Sequence, residues 1–530
     1  MDALKSSPWP AVAAGFALLC SMPVLLLRQL AASVGLAPPT AKQRKEEDTT
    51  ACALFRALPE LASCLAWRSL GALPATPVHT CTMWHEGSEI SFHVKREDLV
   101  SPYYGGNKVR TLQHQLAVCE AKIERAAPAD KARLENLVVL GTGGSNQVVA
   151  TAVHGARLGL TKLHMLWMAP DLPDLDNTLN MLSALSLRLD GRRLTWGSPL
   201  AALRQLLATL LGGGVVLPMG GNNISGVLGQ MSGALELAEQ IEAGEAPDPD
   251  SIYLAVGSSC TISGLVLGVA LSRALGRRAF TSRRFRIVGV IIHHAVAAAQ
   301  RRLGFSTGAA FRHFPLTLQH SVRTAAAALA QLGGPDVLES ALRMLRMEVR
   351  LETSPELVGV YGGHSAPSRA AAAAYEESAA VVDPSGGSAP HLWLCGHFAA
   401  KPFAAMLRDL RTAADAGEPL CALHWQTKSA TQPRGEADEW AAMRAMPGKV
   451  RAWADKGEAE SAFRFGKVDT TREKVDVTSA GYRHLMTKLP RGGVGAGGDG
   501  EAGSARSPPR PRPLPTPSRG HVHVAVARRR

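Results

Sequence analysis

The sequence predicts an α/β protein with a mostly parallel sheet covered by helices. Between residues 54 and 431, short apolar runs alternate with longer segments of helical periodicity. Gly-rich turns separate several of these runs from the helix that follows, which is typical of parallel strand–turn–helix units. A hydrophobic content of 46% in 530 residues is ample for buried cores.

Five segments are predicted strands and three are predicted helices. The strands are residues 137–141, 163–168, 215–219, 252–257 and 287–293, which are apolar and in several cases rich in Val or Ile. The helices are residues 148–158, 227–243 and 262–275.

The positive charge is partly concentrated at the C-terminus. Residues 489–530 carry eight arginines against Asp499 and Glu501, which supplies +6 of the net charge of +13. The segment is also rich in Gly and Pro, a composition that buries too little apolar surface to offset chain entropy. We predict a disordered basic tail there, after a charged extension at 432–488, and no specific nucleic-acid partner. Attraction to nucleic acid or to a membrane is the less favoured alternative.

The eight cysteines are scattered, without a CxxC pair and without a Cys/His spacing suited to zinc. This pattern predicts free thiols in a reducing compartment and no metal site.

Residues 11–27 form an uncharged, apolar run of 17 residues that Pro23 interrupts. Spanning a bilayer takes about 20 apolar residues, so the run is marginal. Three interpretations stay open: an organelle-targeting or signal-like segment, a single membrane anchor, or a wrongly assigned start of translation. We expect organelle targeting or membrane anchoring through this run, with a cytoplasmic location as the alternative, and membrane contact only through these residues.

The first stretch that suggests chemistry is residues 95–111, KREDLVSPYYGGNKVRT, where two glycines precede Asn107 and Lys108. A helix is predicted to begin at this point, and its dipole disfavours an ammonium ion at its N-terminus. The neutral amine that results is the form that Schiff-base chemistry needs. A surface lysine on a loop is the ordinary alternative.

Two further stretches each combine a strand, a tight turn and a helix start. In residues 138–160 the turn ends in Ser145 and Asn146, whose hydroxyl and amide suit a substrate carboxylate; a serine N-cap is the alternative. In residues 252–265, IYLAVGSSCTISGL, the turn of small residues can wrap a phosphate at the helix start, although such turns are mostly structural.

Together these stretches resemble the D-cysteine desulfhydrase and 1-aminocyclopropane-1-carboxylate deaminase family of tryptophan-synthase-β-like, fold type II enzymes. The family patterns are KR(D/E)D with GGNK(V/T)RKLE, SN(H/Q)VRQTAAxAA, and GSxGTxAGL, in which Cys260 replaces the second glycine. Residues 217–241 resemble a further family segment, for which we expect a packing role. The resemblance spans residues 53–431.

The resemblance implies pyridoxal 5′-phosphate as cofactor and a role for each matching residue. Lys108 would form the Schiff base, Ser145 would contact substrate, and Asn146 would bond the cofactor's 3′ oxygen. The cofactor phosphate would be bound by Gly257, Ser258, Ser259, Cys260 and Thr261.

The C-terminal part matches the family less well. Tyr361 corresponds to a family tyrosine near the substrate, whereas a turn residue is the alternative. Phe398 and Ala399 stand where the family has a tyrosine and then a threonine or glutamate. Thr427 matches a threonine beside the pyridine ring, so we predict that its hydroxyl bonds a neutral ring nitrogen.

The resemblance implies a large cofactor domain at residues 53–110 and 221–431 and a small domain at 111–220. The expected activity is that of a lyase or deaminase on a small amino acid, with D-cysteine desulfhydrase-like α,β-elimination favoured. One alternative is 1-aminocyclopropane-1-carboxylate deamination, and another is a non-catalytic scaffold with the same fold. Family members commonly form homodimers, and the sequence leaves the oligomeric state open.

Overall fold

The computed structural model describes residues 34–71, 75–160, 162–168, 175–187, 193–196, 199–304 and 317–431, with isolated positions between 433 and 452. All of these residues belong to one compact unit, Met1–Leu489. The apolar run at 11–27, the basic tail and most of the charged extension lie outside the described residues.

Eleven strands occur in the described part of the chain. They are β1 (Val78–His85), β2 (Ser88–Lys95), β3 (Leu137–Thr142), β4 (Leu163–Met168), β5 (Arg193–Trp196), β6 (Val215–Leu217), β7 (Ser251–Val256), β8 (Arg286–Ile291), β9 (Val349–Glu352), β10 (Ala380–Val382) and β11 (Ala422–Trp425).

Sixteen α-helices are assigned within the same residues. They are α1 (Ala41–Glu46), α2 (Ala53–Ala57), α3 (Leu61–Cys64), α4 (Lys108–Arg125), α5 (Pro128–Leu134), α6 (Asn146–Arg157), α7 (Leu175–Ser186), α8 (Pro199–Leu211), α9 (Ile224–Glu242), α10 (Cys260–Ala274), α11 (His294–Leu303), α12 (Leu318–Gln331), α13 (Leu338–Met347), α14 (Pro355–Val358), α15 (Ala366–Ser378) and α16 (Ala400–Asp415).

The strands form two sheets. The larger has the order β10-β1-β2-β11-β7-β8-β9 and the smaller has the order β5-β4-β3-β6. Pairing is parallel throughout the small sheet and from β2 to β9 in the large one, whereas β1 pairs antiparallel with β2 and β10. The predicted α/β class with mostly parallel strands is therefore confirmed.

Apolar cores lie on both faces of the large sheet. Helices α9, α10, α12 and α13 contribute to one of these cores, and α15 and α16 contribute to the other. A third core joins α4, α6 and α7 to the small sheet. Burial on both faces explains why the parallel strands are almost continuously apolar in sequence.

The predicted elements correspond closely to the observed ones. Each of the five predicted strands and three predicted helices overlaps an observed element, and no end differs by more than three residues. The four strands of the small sheet fall within the predicted small-domain segment, 111–220, and the large-sheet strands fall outside it. The domain boundaries themselves stay a prediction.

A buried network of charges connects β2, α4 and α9. Lys95 donates to Glu236 at 2.6 Å, and Arg110 donates to Glu97 at 2.6 Å and to Glu236 at 2.8 Å. Burial raises the pKa of Glu236, but the neighbouring Arg110 and Lys95 more than offset this and lower that pKa to about 2. Lys95 and Glu97 of the KRED motif thus help fasten the helix that Lys108 begins.

The expectation of a membrane anchor is not supported and is corrected here. Among the described residues, no helix is both long enough and apolar enough to cross a bilayer. Residues 11–27, on which the expectation depended, lie outside the described part and are shorter than the roughly 20 apolar residues that a span requires.

Candidate active site

The turn before Lys108 is shaped by close approaches of backbone. A Cβ on Gly105 would lie 2.0 Å from the Asp98 carbonyl oxygen, and one on Gly106 would lie 2.6 Å from the Thr427 carbonyl oxygen. Gly106 also has a φ of 99°, which favours glycine. The pair of glycines therefore lets the chain pass between two loops and begin α4 at Lys108.

The Lys108 amine lies in the interior and donates to the carbonyl oxygen of Gly220 at 3.0 Å. Desolvation lowers the pKa of this amine, and the Cys260 thiol opposes that shift only in part. The sequence prediction attributed the favoured neutral form of this amine to the helix dipole, whereas burial is the main cause that lowers its pKa in the structure. Gly220 lies within residues 217–241, the segment for which only a packing role was expected.

The turn from Gly257 to Thr261 follows β7 and lies on the same side of the large sheet as Lys108. Asn107, next to Lys108, donates to the Thr261 hydroxyl at 2.7 Å. Ser258 lies 3.4 Å from the same Gly220 oxygen that Lys108 contacts. Ser259 has a left-handed φ of 66°, which turns the chain into α10.

Cys260 is the first residue of α10 and is buried beneath the turn. Its thiol lies 3.5 Å from the Gly221 carbonyl oxygen. Burial raises the pKa of this thiol to about 11, with Lys108 lowering it only in part. Cys260 is therefore a neutral packing residue here, and its backbone amide lies at the helix start.

Ser145 and Asn146 lie at the start of α6, where β3 of the small sheet ends. Ser145 occupies the N-cap position but makes no side-chain capping bond. The structure therefore lacks the hydrogen bond by which the Ser145 side chain would cap the helix. A Cβ on Gly141 would lie 2.7 Å from the Ser145 hydroxyl, so glycine leaves the space that the serine occupies.

The Asn146 side-chain oxygen is surrounded by donors. It accepts from the Tyr104 hydroxyl at 2.8 Å and from the Lys428 amine at 3.3 Å, and Asn180 also donates to it. These bonds fix which way the amide points and leave its nitrogen directed elsewhere. Lys428 and Asn180 were not predicted from sequence as site residues.

Tyr361 lies beside the end of β3, as its hydroxyl is 3.2 Å from that of Thr142. Its ring contacts His293 at 4.7 Å and His397 at 4.6 Å between centroids. Phe398 stacks on His397 at 3.9 Å, and Ala399 is buried at the start of α16. Phe398 and Ala399, the two residues that depart from the family pattern, thus contribute only apolar side chains here.

Thr427 is buried just beyond β11, and its carbonyl oxygen accepts from the Asn107 backbone amide at 3.3 Å. The neighbouring Lys428 has its amine 4.8 Å from the centre of the Trp393 ring. The loop after β11 therefore reaches both the Lys108 turn and Asn146.

The structure brings the predicted residues together at the carboxyl ends of parallel strands, the usual place for a binding site in α/β folds. Four residues near the site were not predicted from the sequence, namely Gly220, Lys428, His397 and Asn180. Lys428 follows Thr427 and His397 precedes Phe398 in the sequence, so each lies next to a residue that was considered. Nothing local to Asn180 indicated its position.

The residues present fit pyridoxal phosphate. They supply a buried amine at Lys108, an oriented amide at Asn146 and backbone amides at the start of α10. Gly220 supports this fit because it has no side chain. A Cβ there would lie 2.3 Å from the Ser258 hydroxyl and 3.7 Å from the Lys108 amine, and would fill space between them. Among the described residues, no group of three His, Cys, Asp or Glu side chains could hold a metal ion.

Parts of the chain are similar in sequence to curated proteins. The chain is 33% identical over 217 residues to a nocardicin C-9′ epimerase of Nocardia uniformis subsp. tsuyamanensis, covering 38% of this chain and 61% of that protein. It is 32% identical over 192 residues to a D-cysteine desulfhydrase of Klebsiella pneumoniae (strain 342), covering 35% and 54%. The matches thus span little more than half the length of these curated relatives.

A crystal structure of an ACC deaminase homologue is similar with a TM-score of 0.46 and 19% sequence identity, covering 71% of this chain and 94% of that one. The sequence profile described as pyridoxal-phosphate dependent enzyme matches residues 70–401, which is more than half of the chain. The resemblance inferred from the motifs and the cofactor that it implied are thereby confirmed. The chain belongs to the family of pyridoxal-phosphate-dependent enzymes.

Proposed function

We propose that Lys108 holds pyridoxal phosphate covalently and that the enzyme carries out α,β-elimination on a small amino acid, with D-cysteine as the favoured substrate. The observation that carries this proposal is the Lys108 amine, which is desolvated and rests 3.0 Å from the Gly220 carbonyl oxygen. A lowered pKa favours the neutral amine, which is the form that reacts with an aldehyde.

In this proposal the cofactor is held at both ends. Asn146 donates its amide to the 3′ oxygen, and the phosphate lies at the start of α10. The residues proposed to bind that phosphate are Gly257, Ser258, Ser259, Cys260 and Thr261. Thr427 donates its hydroxyl to a neutral ring nitrogen, because Ala399 supplies no carboxylate. When bound, pyridoxal phosphate supplies a conjugated ring that accepts the electron pair left on the substrate's α-carbon.

The side chains around it bind the substrate and move its proton. Ser145 and the amides at the start of α6 bind the substrate carboxylate. Lys108 would take the proton from the substrate's α-carbon at its Nζ. Tyr361, held beside Thr142, lines the substrate's side-chain end. The β-thiol leaves as sulfide, and water converts the remaining fragment to pyruvate and ammonia.

Thiol elimination is favoured over cyclopropane ring opening. The family tyrosine and glutamate on which ring opening depends are here Phe398, which stacks on His397, and Ala399, which is buried. The Klebsiella relative is named a D-cysteine desulfhydrase, which agrees with this preference.

The covalent role of Lys108 is tested by borohydride reduction of the purified holoenzyme, followed by peptide mapping. We expect the pyridoxyl group on Lys108 alone, and Lys108→Ala should lose the cofactor's visible absorbance after dialysis. Lys428→Met is the matched control, because it removes a second buried amine of the same site. A pyridoxyl group on Lys401 or Lys428 would contradict the assignment.

The reaction is tested with a panel of D- and L-amino acids scored for ketoacid, ammonia and sulfide. We expect D-cysteine to give all three products in equal amounts. Loss of optical rotation without ketoacid would instead indicate an epimerase. Cofactor bound without turnover of any substrate would indicate the non-catalytic alternative.

A further inference from the structure

Lys428, on the loop after β11, is a buried lysine whose amine lies among side-chain oxygens. Its Nζ donates to the Asn180 side-chain oxygen at 2.9 Å, and to the Asn146 side-chain oxygen and the Tyr104 hydroxyl at 3.3 Å each. The centres of the Tyr104 and Trp393 rings lie 5.2 Å and 4.8 Å from the same nitrogen. Aromatic faces at such distances attract a cation. These surroundings therefore suit an ammonium ion.

An ammonium ion differs from its neighbours in this cluster because it can only donate hydrogen bonds. The Tyr104 hydroxyl both donates and accepts, and an asparagine amide that turns over exchanges its nitrogen for its oxygen. Lys428 lies within 3.3 Å of one amide atom of Asn146 and one of Asn180, and both of these atoms must be oxygens to accept from it. Lys428 therefore determines which way both amides point.

The Asn146 side-chain nitrogen consequently points away from the cluster. The orientation of Asn180 agrees with this arrangement, because its own nitrogen donates to the Gly144 carbonyl oxygen at 2.8 Å. The Asn146 nitrogen makes no hydrogen bond to any described residue. Unlike the two unpartnered amide atoms of the adjacent Gln147, it is not sealed from solvent. It is therefore an unused donor that faces open space at the start of α6.

The residues that hold the Asn146 oxygen are attached to the turn that presents Lys108. Tyr104 precedes Lys108 by four residues in the same segment. The Thr427 carbonyl oxygen, next to Lys428 in sequence, accepts at 3.3 Å from the backbone amide just before Lys108. The Lys108 turn and the Asn146 donor thus belong to one connected assembly.

We propose that Lys428 is a positioning residue that makes Asn146 a hydrogen-bond donor towards the 3′ oxygen of the cofactor. The inference rests on the proposed function, in which Asn146 bonds that oxygen, and it names the residue that sets the direction of the amide. With no ammonium ion at this place, the Asn146 amide is able to turn over, and two oxygens then face each other. Lys428 itself touches neither cofactor nor substrate in this role.

The test compares two cofactors bound to the full-length apoenzyme, pyridoxal phosphate and 3-deoxypyridoxal phosphate, which lacks the 3′ oxygen. Equilibrium dialysis gives both dissociation constants. In Lys428→Met the preference for pyridoxal phosphate should fall about threefold to tenfold relative to the wild type, as one lost hydrogen bond allows. Lys108 is unaltered, so differences in how the two aldehydes react with it cancel between variants. A preference equal to that of the wild type overturns the proposal.

Lys401→Met is the matched control, because Lys401 is also fully buried but donates to the Val360 carbonyl oxygen at 2.8 Å. This variant should keep the preference of the wild type. General loosening of the site weakens both cofactors alike and leaves the preference unchanged, so the preference separates positioning from a structural role. The thermal midpoint verifies that each variant is folded.

A double-mutant cycle tests whether Lys428 acts through Asn146. Asn146→Ala should lose the preference to at least the extent that Lys428→Met does, and Lys428→Met should cause no further loss in the Asn146→Ala background. A further loss there means that Lys428 acts independently of Asn146, which overturns the proposal.

The same variants separate this inference from the proposed function. If Asn146→Ala keeps the preference of the wild type, the contact between Asn146 and the 3′ oxygen is refuted, and the role of Lys428 with it. If Asn146→Ala loses the preference and Lys428→Met keeps it, the inference about Lys428 alone fails. Release of ketoacid reports on the elimination in either case.

A second measurement requires no variant to fold. Neutron diffraction from deuterium-exchanged crystals of the unaltered holoenzyme distinguishes amide nitrogen from oxygen by the bound deuterons. We expect the Asn146 nitrogen to direct a deuteron at the 3′ oxygen, and the Lys428 ammonium to direct deuterons at the Asn146 and Asn180 oxygens. An Asn146 oxygen that faces the cofactor overturns the proposal.

Discussion

Gly220 shows how one position without a side chain determines the shape of the site. Its carbonyl oxygen is 3.0 Å from the Lys108 amine and 3.4 Å from the Ser258 hydroxyl. It has a φ of 61°, so the left-handed conformation also favours glycine. The Lys108 amine and the turn proposed for the phosphate therefore both contact the same residue, Gly220.

Gly220→Ala should weaken cofactor binding at least about tenfold, because its Cβ would lie 2.3 Å from the Ser258 hydroxyl and 2.5 Å from the Ser258 Cβ. Equilibrium dialysis of pyridoxal phosphate measures the effect. Gly276→Ala is the control, since Gly276 has a similar φ of 72° but nothing within 4 Å of the added carbon. Equal affinities in the two variants would contradict the expected effect of the close approach to Ser258.

At the scale of elements, the helix that begins at Lys108 is fastened to its neighbours by buried charge. Arg110 on α4, Glu236 on α9 and Lys95 at the end of β2 form one connected network with Glu97. The two positive charges of this network equal its two negative charges in number. Removing one member leaves an unpaired charge in the interior, which costs far more than losing an exposed pair.

Glu236→Ala should therefore lower the free energy of unfolding by about 3–5 kcal/mol. Glu239→Ala, on the same helix, removes a partly exposed carboxylate paired with Arg56 and Arg277 and should cost about 1 kcal/mol or less. Urea denaturation of the two variants under identical conditions measures the difference. Similar losses in both would contradict a special contribution from the buried network.

For the whole molecule, buried neutral histidines couple stability to pH. Burial is the largest cause that lowers the pKa to about 4 at each of five positions, which are His79, His114, His293, His364 and His424. Unfolding returns each ring to its ordinary pKa near 6.5, so the unfolded chain binds more protons between these values. The stabilisation is complete above about pH 6.5 and is lost as pH falls towards 4.

We expect the urea midpoint to fall steadily between about pH 6.5 and about pH 4.5. The double variant His114→Phe/His424→Phe should have a shallower slope, by at most about 1.4 kcal/mol per pH unit for each ring removed. Repeating the series at high salt screens long-range repulsion but not the desolvation of these rings. A midpoint that does not change with pH, or a slope unaltered in the double variant, would refute this coupling.

Much of the fold and of the candidate site could be predicted from the sequence because the sequence signals are local. Apolar runs and helical periodicity are properties of neighbouring residues, so the elements and the parallel α/β class followed from them. The GGNK, SN and small-residue turns are also continuous in sequence, and their likeness to known motifs indicated the family and its cofactor. The membrane expectation was wrong because a marginal apolar run carries little information about spanning a bilayer.

By itself, the sequence determined the fold class, the family and the order of its elements, because each of these depends on short-range patterns. Only the tertiary structure decided that Gly220 faces Lys108, that Lys428 reaches Asn146 and that His397 packs against Tyr361. The first two pairs are separated by 112 and 282 residues along the chain. Contacts of this kind depend on how parallel strands bring their carboxyl ends together, and no local pattern encodes which distant side chains meet there.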